Sequence, residues 1–493
     1  MGFVLTTPPS KEFRCNGVHG VKHIQKNGSS IKHAVTNGTV GKNQAVHDDS
    51  PTLAPLSGIR AFASVTIVCI HVAHWVNLSI GDRKKVHGAF ETSAWWNYLY
   101  QPDPPMDAFL TLTGFLAAWS LIPALEHTSG YYKTIKRYYL KRIWHIVPPY
   151  YLFLGGLYFF LMPVASNPSL HGDLWRGFFD RFATMDQGAC ATLLWRNFTF
   201  TNNMVDFAGC WNITWSLCVQ MQFYAAFPLA LLALQPQKPG FRKRVVALCI
   251  TIIAGVSCYK TWQMFHTQLW TYMPLAAFDQ SIVRVNKLMI FMGHHSYTNF
   301  VSRLSALGMG VLAALALSDQ HFRHWLGRNR ATTYQVWVGL FLVLAGSGIV
   351  NKFGCEPDPN HISASIPGLF FVFVLTQTFL SPFFYAIMLA VVMTRQPGLG
   401  RFLSRLLSAK LLAWLADLSY DIYLIHSFVI FGIWTVYPPS VWWDVRKPST
   451  FIAVFCAAFA LTTMLAWLHN RLWAAVRSAA SKITLSVLKQ KTV

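Results

Sequence analysis

An arginine and a histidine stand eleven residues apart in the first long apolar run of this chain, Leu56-Ser-Gly-Ile-Arg60-Ala-Phe-Ala-Ser-Val-Thr-Ile-Val-Cys-Ile-His71. On a helix, eleven steps of ~100° return to within ~20° of the starting direction and advance ~16 Å along the axis. The two side chains therefore share one face, Arg60 near the helix entrance and His71 near mid-depth. Ionisable groups inside a bilayer are costly unless they face a bundle interior or a water-filled cavity, so the pair marks a candidate site. A fixed cation at the mouth with a titratable imidazole at depth suits a site that holds an anionic cofactor and moves a proton at its far end. The plainer alternative is an interfacial arginine that snorkels, plus a core histidine whose hydrogen bonds are met.

Composition sets the surroundings of such a pair. The chain has 493 residues, 53% of them hydrophobic and only 12% charged, with a mean hydropathy of +0.35. That balance excludes an ordinary soluble globular protein and points to an integral membrane protein. Several apolar stretches approach the ~20 residues a spanning helix needs, and the alternation of a membrane β-barrel is absent. The expected fold is all-α, a polytopic membrane bundle of about ten transmembrane helices. The net charge of +22 does not indicate nucleic acid, because Lys and Arg fall in short segments between apolar spans rather than in a basic, aromatic-interleaved domain.

The ten expected spans are roughly 56–79, 107–126, 143–163, 214–234, 245–263, 299–317, 334–351, 366–394, 411–436 and 449–470. With the N-terminus inside, the cytosolic segments carry 27 of the 41 Lys and Arg and the outer ones 11, leaving Arg60, Lys260 and Arg303 within spans. The excess of Lys and Arg in cytoplasmic segments predicts both termini in the cytosol. Residues 1–50 are a polar, basic tail with too little apolar mass to fold alone, residues 51–472 the membrane domain, and 473–493 a second basic tail. No cleavable signal peptide is visible. Met1-Gly2-Phe-Val-Leu-Thr6 fits the short myristoylation pattern.

The outer segment 164–213 contains Cys190 and Cys210 and the sequon Asn197-Phe-Thr199, with a further sequon at Asn212. Two cysteines in one oxidising-side loop are expected to pair, which would stabilise by about 3 kcal/mol in the chain-entropy picture. Asn197 is the expected glycosylation site. No cysteine–histidine spacing reads as a metal site, so none is expected.

Five segments together resemble the membrane acyltransferase-3 family. Arg60 and His71 resemble its Arg-x10-His first helix. Met106-Asp107-Ala-Phe-Leu-Thr-Leu-Thr113-Gly114-Phe-Leu116 resembles its Asp-x-Phe-Phe-x-Leu-Ser-Gly-Phe-Leu segment. Lys136-Arg137-Tyr-Tyr-Leu-Lys141-Arg142 through Pro148 is similar to its basic loop and proline-containing third helix. Cys210-Trp-Asn-Ile-Thr-Trp215-Ser216-Leu-Cys-Val-Gln220-Met-Gln-Phe-Tyr224 resembles its Trp-Ser-Leu-x-x-Glu-x-x-Phe-Tyr helix, and Leu418-Ser419-Tyr420-Asp-Ile-Tyr423-Leu-Ile-His426 its Leu-Ser-Tyr-x-x-Tyr-Leu-x-His. The Cys210-Trp opening leans toward the animal nose-resistant-to-fluoxetine-like branch. The resemblance runs from about residue 54 to 472.

That resemblance implies an enzyme moving an acyl group, usually acetyl, from cytosolic acyl-CoA to a hydroxyl of a sugar, lipid or other acceptor in or across the membrane. Arg60, Lys136, Arg137, Lys141 and Arg142 would bind the cofactor's phosphates. His71 would act at the thioester as general base or as nucleophile, with His74 one turn deeper on the same face. Asp107 would orient an imidazole or bind the acceptor, or else only cap its helix. Thr113 keeps the family's hydroxyl, and Ser419, Tyr423 and His426 form one polar stripe at i, i+4 and i+7. With Trp215, Ser216, Gln220 and Tyr420 they are the expected channel or acceptor lining. Gln220 departs from the family's carboxylate and cannot carry charge or take a proton.

Two other classes compete. A transporter or lipid-handling protein could use Arg60 and His71 to line a substrate path. Electron transfer could use a haem held by His71, His74 and His426, which needs two histidines at matched depth on facing helices.

Overall fold

The computed structural model describes residues 51–79, 103–128, 130–161, 187–204, 211–267, 298–353, 376–444 and 446–490. These residues form helices and connecting turns, with no strand among them. The principal helices are α1 (Pro55–Ser79), α2 (Asp103–Glu126), α3 (Tyr131–Gly156), α4 (Gln187–Phe198), α5 (Trp215–Ala233), α6 (Phe241–Thr267) and α7 (Phe300–Ser318). They continue as α8 (Gln320–Arg328), α9 (Arg330–Phe353), α10 (Ser381–Met393), α11 (Leu399–Leu407), α12 (Lys410–Val436), the single turn α13 (Pro439–Trp442) and α14 (Pro448–Gln490). A bilayer leaves backbone polar groups no water to bond, which is why long apolar runs resolve as helices.

Among the described residues, seven helical stretches are long and apolar enough to cross a membrane: Pro55–Ala73, Pro105–Glu126, Trp215–Ala233, Phe241–Trp262, Phe300–Ser318, Lys410–Trp434 and Pro448–Ala479. Each coincides with an expected span. Of the other three places, α3 and α9 cover most of 143–163 and 334–351, while α10 covers only the end of 366–394, whose first ten residues lie outside the described residues. The stretches from α1, α2, α5, α7 and α12 are mostly buried and make the centre, whereas those of α6 and α14 have less than a third of their residues buried and lie outside it. The exposed side chains of α14 include Ile452, Met464, Trp467 and Leu472, an apolar surface suited to lipid.

The tightest seam joins α2 to α7. A Cβ on Gly114 would enter the backbone carbonyl of Leu307, and one on Gly310 the backbone of Thr111. Small residues let membrane helices approach until their backbones touch, since apolar side chains gain little by leaving lipid. That approach brings Asp107 on α2 against Arg303 on α7. The side chain of Asn299 caps α7 by accepting from the Val301 amide at 2.8 Å.

One expectation changes. The basic segment before the third span is not a loop: α3 starts at Tyr131 and carries Lys136 to Arg142 on its first turns. Lys and Arg are good helix formers, and the first breaker is the Pro148–Pro149 pair. The 473–493 tail continues α14 without a break to Gln490.

Candidate functional site

Arg60 and His71 do share one side of α1, and α12 runs parallel beside them. Arg60, 2% exposed, lies within electrostatic reach of Asp417 on α12 and Tyr224 on α5. At the deeper position the His71 ring stacks on the His426 ring of α12, centroids 4.8 Å apart and 18° from parallel. His71 Nδ1 and His426 Nε2 are 2.8 Å apart. His426 Nδ1 in turn faces the carbonyls of Tyr423 at 2.8 Å and Ile422 at 3.1 Å.

Carbonyl oxygens only accept, so His426 Nδ1 must carry a proton. With both rings neutral, His426 Nε2 is then the acceptor and His71 Nδ1–H donates to it. The remaining lone pair belongs to His71 Nε2. The fold therefore sets the tautomer of the first imidazole through the second, as a carboxylate or carbonyl does for other functional histidines. The direct 2.8 Å contact leaves no space for an iron between these two nitrogens, which would hold them ~4 Å apart at ~2 Å per bond. The haem reading loses its matched pair of ligands.

One turn before His426, Tyr423 donates a short hydrogen bond to the Ile213 carbonyl and accepts from Ser216 Oγ at 2.8 Å. Tyr420 donates to the Ile146 carbonyl at 2.9 Å, tying α12 to α3. Ser419 is buried and turns its hydroxyl back to the Ala416 carbonyl at 2.7 Å. Nearer the Arg60 end, Gln220 donates to Thr113 Oγ1 at 2.8 Å and to the Tyr224 hydroxyl at 3.0 Å. The amide thus fills the family's carboxylate position as a neutral bridge between α5 and α2.

Of the four expected cations on α3, only Arg142 joins this group. Its guanidinium lies 5.3 Å from the Tyr138 ring and 4.8 Å from the Tyr224 ring. Burial pushes the Tyr138 hydroxyl well above its ordinary range, against the pull of Arg142. Lys136, Arg137 and Lys141 are exposed.

Asp107 is not a cap, because α2 begins at Asp103. It pairs with Arg303 Nη1 at 3.2 Å, both side chains 2% exposed. Arg303 also sits 5.5 Å over the Trp215 ring. Contacts then run from Arg303 through Trp215 to its neighbour Ser216, and on to Tyr423 and His426. In the sequence Arg303 stands out only as a cation within a span, and that oddity is its signal.

Asn197 requires a correction as a glycan site. Its side chain is wholly buried, and Nδ2 donates to the Trp211 carbonyl at 3.2 Å and Thr214 Oγ1 at 3.1 Å. A glycan on that nitrogen is incompatible with this packing. Cys210 and the side chains of Cys190, His74 and Asn212 lie outside the described residues, as does the whole 1–50 tail. No group of three or more metal-ligating side chains occurs among the described residues.

A family model described as an acyltransferase domain matches residues 54–471, from the start of α1 into α14. The chain belongs to the membrane acyltransferase-3 family. Every buried polar contact described above lies inside the matched region. Neither curated proteins nor solved structures match the chain, so the roles of its acyltransferase site residues are argued from their own geometry.

Proposed function

We propose that this membrane acyltransferase moves an acyl group, acetyl being the simplest, from acyl-CoA to a hydroxyl acceptor, with His71 as general base. The supporting observation is the carbonyl–His426–His71 chain, which puts the proton on His71 Nδ1 and so makes Nε2 the basic nitrogen of a neutral ring. In the reaction, the acceptor hydroxyl gives its proton to His71 Nε2 while its oxygen attacks the thioester carbonyl carbon. The carbon–sulfur bond then breaks, and the imidazolium returns the proton to the CoA thiolate. Products are the ester and free CoA thiol, with no net proton released.

Arg60 and Arg142 supply the anion-binding end. Arg60 lies ~16 Å along α1 from the histidine, which suits a cofactor with phosphates at one end and thioester at the other. Lys136, Arg137 and Lys141, being exposed, would contribute long-range attraction rather than fixed contacts. Asp107 serves the reaction indirectly, by holding Arg303 and Trp215 beside the Ser216–Tyr423 link.

The test is CoA-thiol release by purified protein, beside acetyl-CoA binding by calorimetry. His71→Ala should lose turnover by about 10²–10⁴-fold, the usual range for a general base, with binding retained. Arg60→Ala should weaken binding by about 1.5–3 kcal/mol, the range for hydrogen bonds to charged groups. Full turnover in a folded His71→Ala protein would overturn the assignment. Absence of CoA release from wild-type protein with a broad set of hydroxyl acceptors would favour a transporter on this scaffold.

A further inference from the structure

Between α10 and α12 lies a short helix, α11, that the acyl-transfer site does not use. Its nine residues rise ~14 Å, about half of the ~30 Å hydrocarbon core, so α11 cannot cross a bilayer. Gly398 at φ 82° turns the chain into it, a left-handed conformation open to glycine. The chain then passes into α12 at Lys410.

Helical geometry divides α11 into three sides. Gly400 and Ser404, four residues apart, are buried and seat the helix on the bundle. The Gly400 amide donates to the Tyr334 hydroxyl of α9 at 2.9 Å, and a Cβ on Gly58 of α1 would enter the backbone of Leu407. Leu399, Phe402 and Leu406 recur at i, i+3 and i+7, within an arc of ~60°. All three are exposed, Phe402 at 61% and Leu406 at 51%. Arg401 and Arg405 share the third side, ~110° around from the apolar one.

Charge along this link has one sign. From Thr394 to Ala416 the chain carries Arg395, Arg401, Arg405 and Lys410 and no acidic residue. Arg395, Arg405 and Lys410 are exposed. The α8–α9 junction is tied to the same place, because Gln396 donates to the Leu326 carbonyl at 3.2 Å and Tyr334 to the Pro397 carbonyl at 3.0 Å. Exposed tryptophans stand at this end of the bundle, Trp325 on α8 and Trp414 on α12. Tryptophan favours the headgroup level of a membrane.

Water alone around α11 would leave its apolar side unburied, and hydrocarbon alone would strip its arginines of solvation. The boundary between the two satisfies both, and an apolar side flanked by cations is the pattern of a helix lying in that boundary. We infer that α11 lies in the plane of the membrane surface, with Leu399, Phe402 and Leu406 among the upper acyl chains and Arg401 and Arg405 on anionic phospholipid headgroups. Cations beside a membrane are drawn to anionic lipid. This surface is separate from the histidine pair and does not depend on the acyl-transfer reading.

The test uses full-length protein with p-benzoylphenylalanine at position 402, in nanodiscs of phosphatidylcholine and phosphatidylserine in equal amounts. Light should join lipid to the peptide containing that position, phosphatidylserine in excess, as read by mass spectrometry. Arg405→Gln should lower the ratio of phosphatidylserine to phosphatidylcholine adducts about fivefold, the weight of one basic residue beside an anionic surface. Arg405→Lys, which keeps the charge, should keep the ratio. A crosslink to residues 1–50 of the chain in place of lipid would show that the protein's own tail covers α11, and would overturn the proposal. So would the absence of any lipid adduct, equal labelling by the two lipids, or the same ratio in Arg405→Gln. Unmodified protein gives an independent check. Amide hydrogen exchange across 399–407 should slow when phosphatidylserine is added to phosphatidylcholine nanodiscs, and unchanged exchange would also overturn the assignment.

Discussion

At the scale of single residues, the arrangement separates holding from reacting. His426 touches no substrate in the proposed reaction and acts through His71, so it is a positioning residue. His426→Ala should lower kcat by about 10²-fold or more, the lower end of base catalysis, and leave KM for acyl-CoA nearly unchanged. His426→Gln should recover part of the loss, since its amide oxygen can accept from His71 Nδ1–H. A purely structural histidine would show neither the kcat-only effect nor the rescue in CoA-release kinetics. The Asp107–Arg303 pair makes a different prediction. Removing either partner strands a buried charge and should cost about 3–5 kcal/mol, whereas replacing both with apolar residues should cost much less. Thermal melting of the two single variants and the double variant in detergent checks this. Arg60, His71 and the Ser419–Tyr423–His426 stripe were legible because helical periodicity alone places them on common faces. The Asp107–Arg303 contact was not, since its partners stand 196 residues apart and no spacing rule spans such a distance. The Asn197 sequon misled for a related reason. Three letters report an acceptor pattern, and burial depends on Trp211 and Thr214, which fold over it.

At the scale of elements, helix existence was readable and helix extent was not. Apolar runs of membrane length fix where a helix must lie, but their ends depend on side chains that tolerate helix in water as well as in lipid. α3 shows this: Lys136 to Arg142 looked like a loop by charge and is helix by propensity. The α2–α7 seam is half legible, because Gly114 stands inside a recognisable motif while Gly310, its counterpart across the seam, carries none. Gly310→Ala should therefore destabilise by about 1–3 kcal/mol, the usual cost of overpacking, because its Cβ meets the Thr111 backbone. Gly339→Ala on α9, where nothing lies within 4 Å of the added carbon, is the internal control. Equal melting temperatures for the two variants would show that α2 and α7 are not held by backbone contact.

For the whole molecule, two independent arguments bear on orientation. The first is the Lys and Arg distribution, 27 on one side of the expected spans and 11 on the other, which assigns the richer side to the cytosol. The second is chemical. Acyl-CoA is a charged cytosolic donor, so the end of the bundle with Arg60 and Arg142 must open to the cytosol if those residues bind it. Because Arg60 enters α1 from the N-terminal side, both arguments predict an N-terminus inside. The C-terminus then depends on parity. The seven long apolar helices alone are odd in number and would leave the termini on opposite faces, whereas crossings within α3, α9 and α10 bring the total to ten. Epitope tags at residues 2 and 493 should both stay hidden from antibody in intact cells and become accessible after detergent. An exposed tag at residue 493 alone would mean that one or three of those helices do not cross. An exposed tag at residue 2 would turn Arg60 and Arg142 away from the cytosol and remove acyl-CoA as the donor, even if both histidine variants behaved as expected.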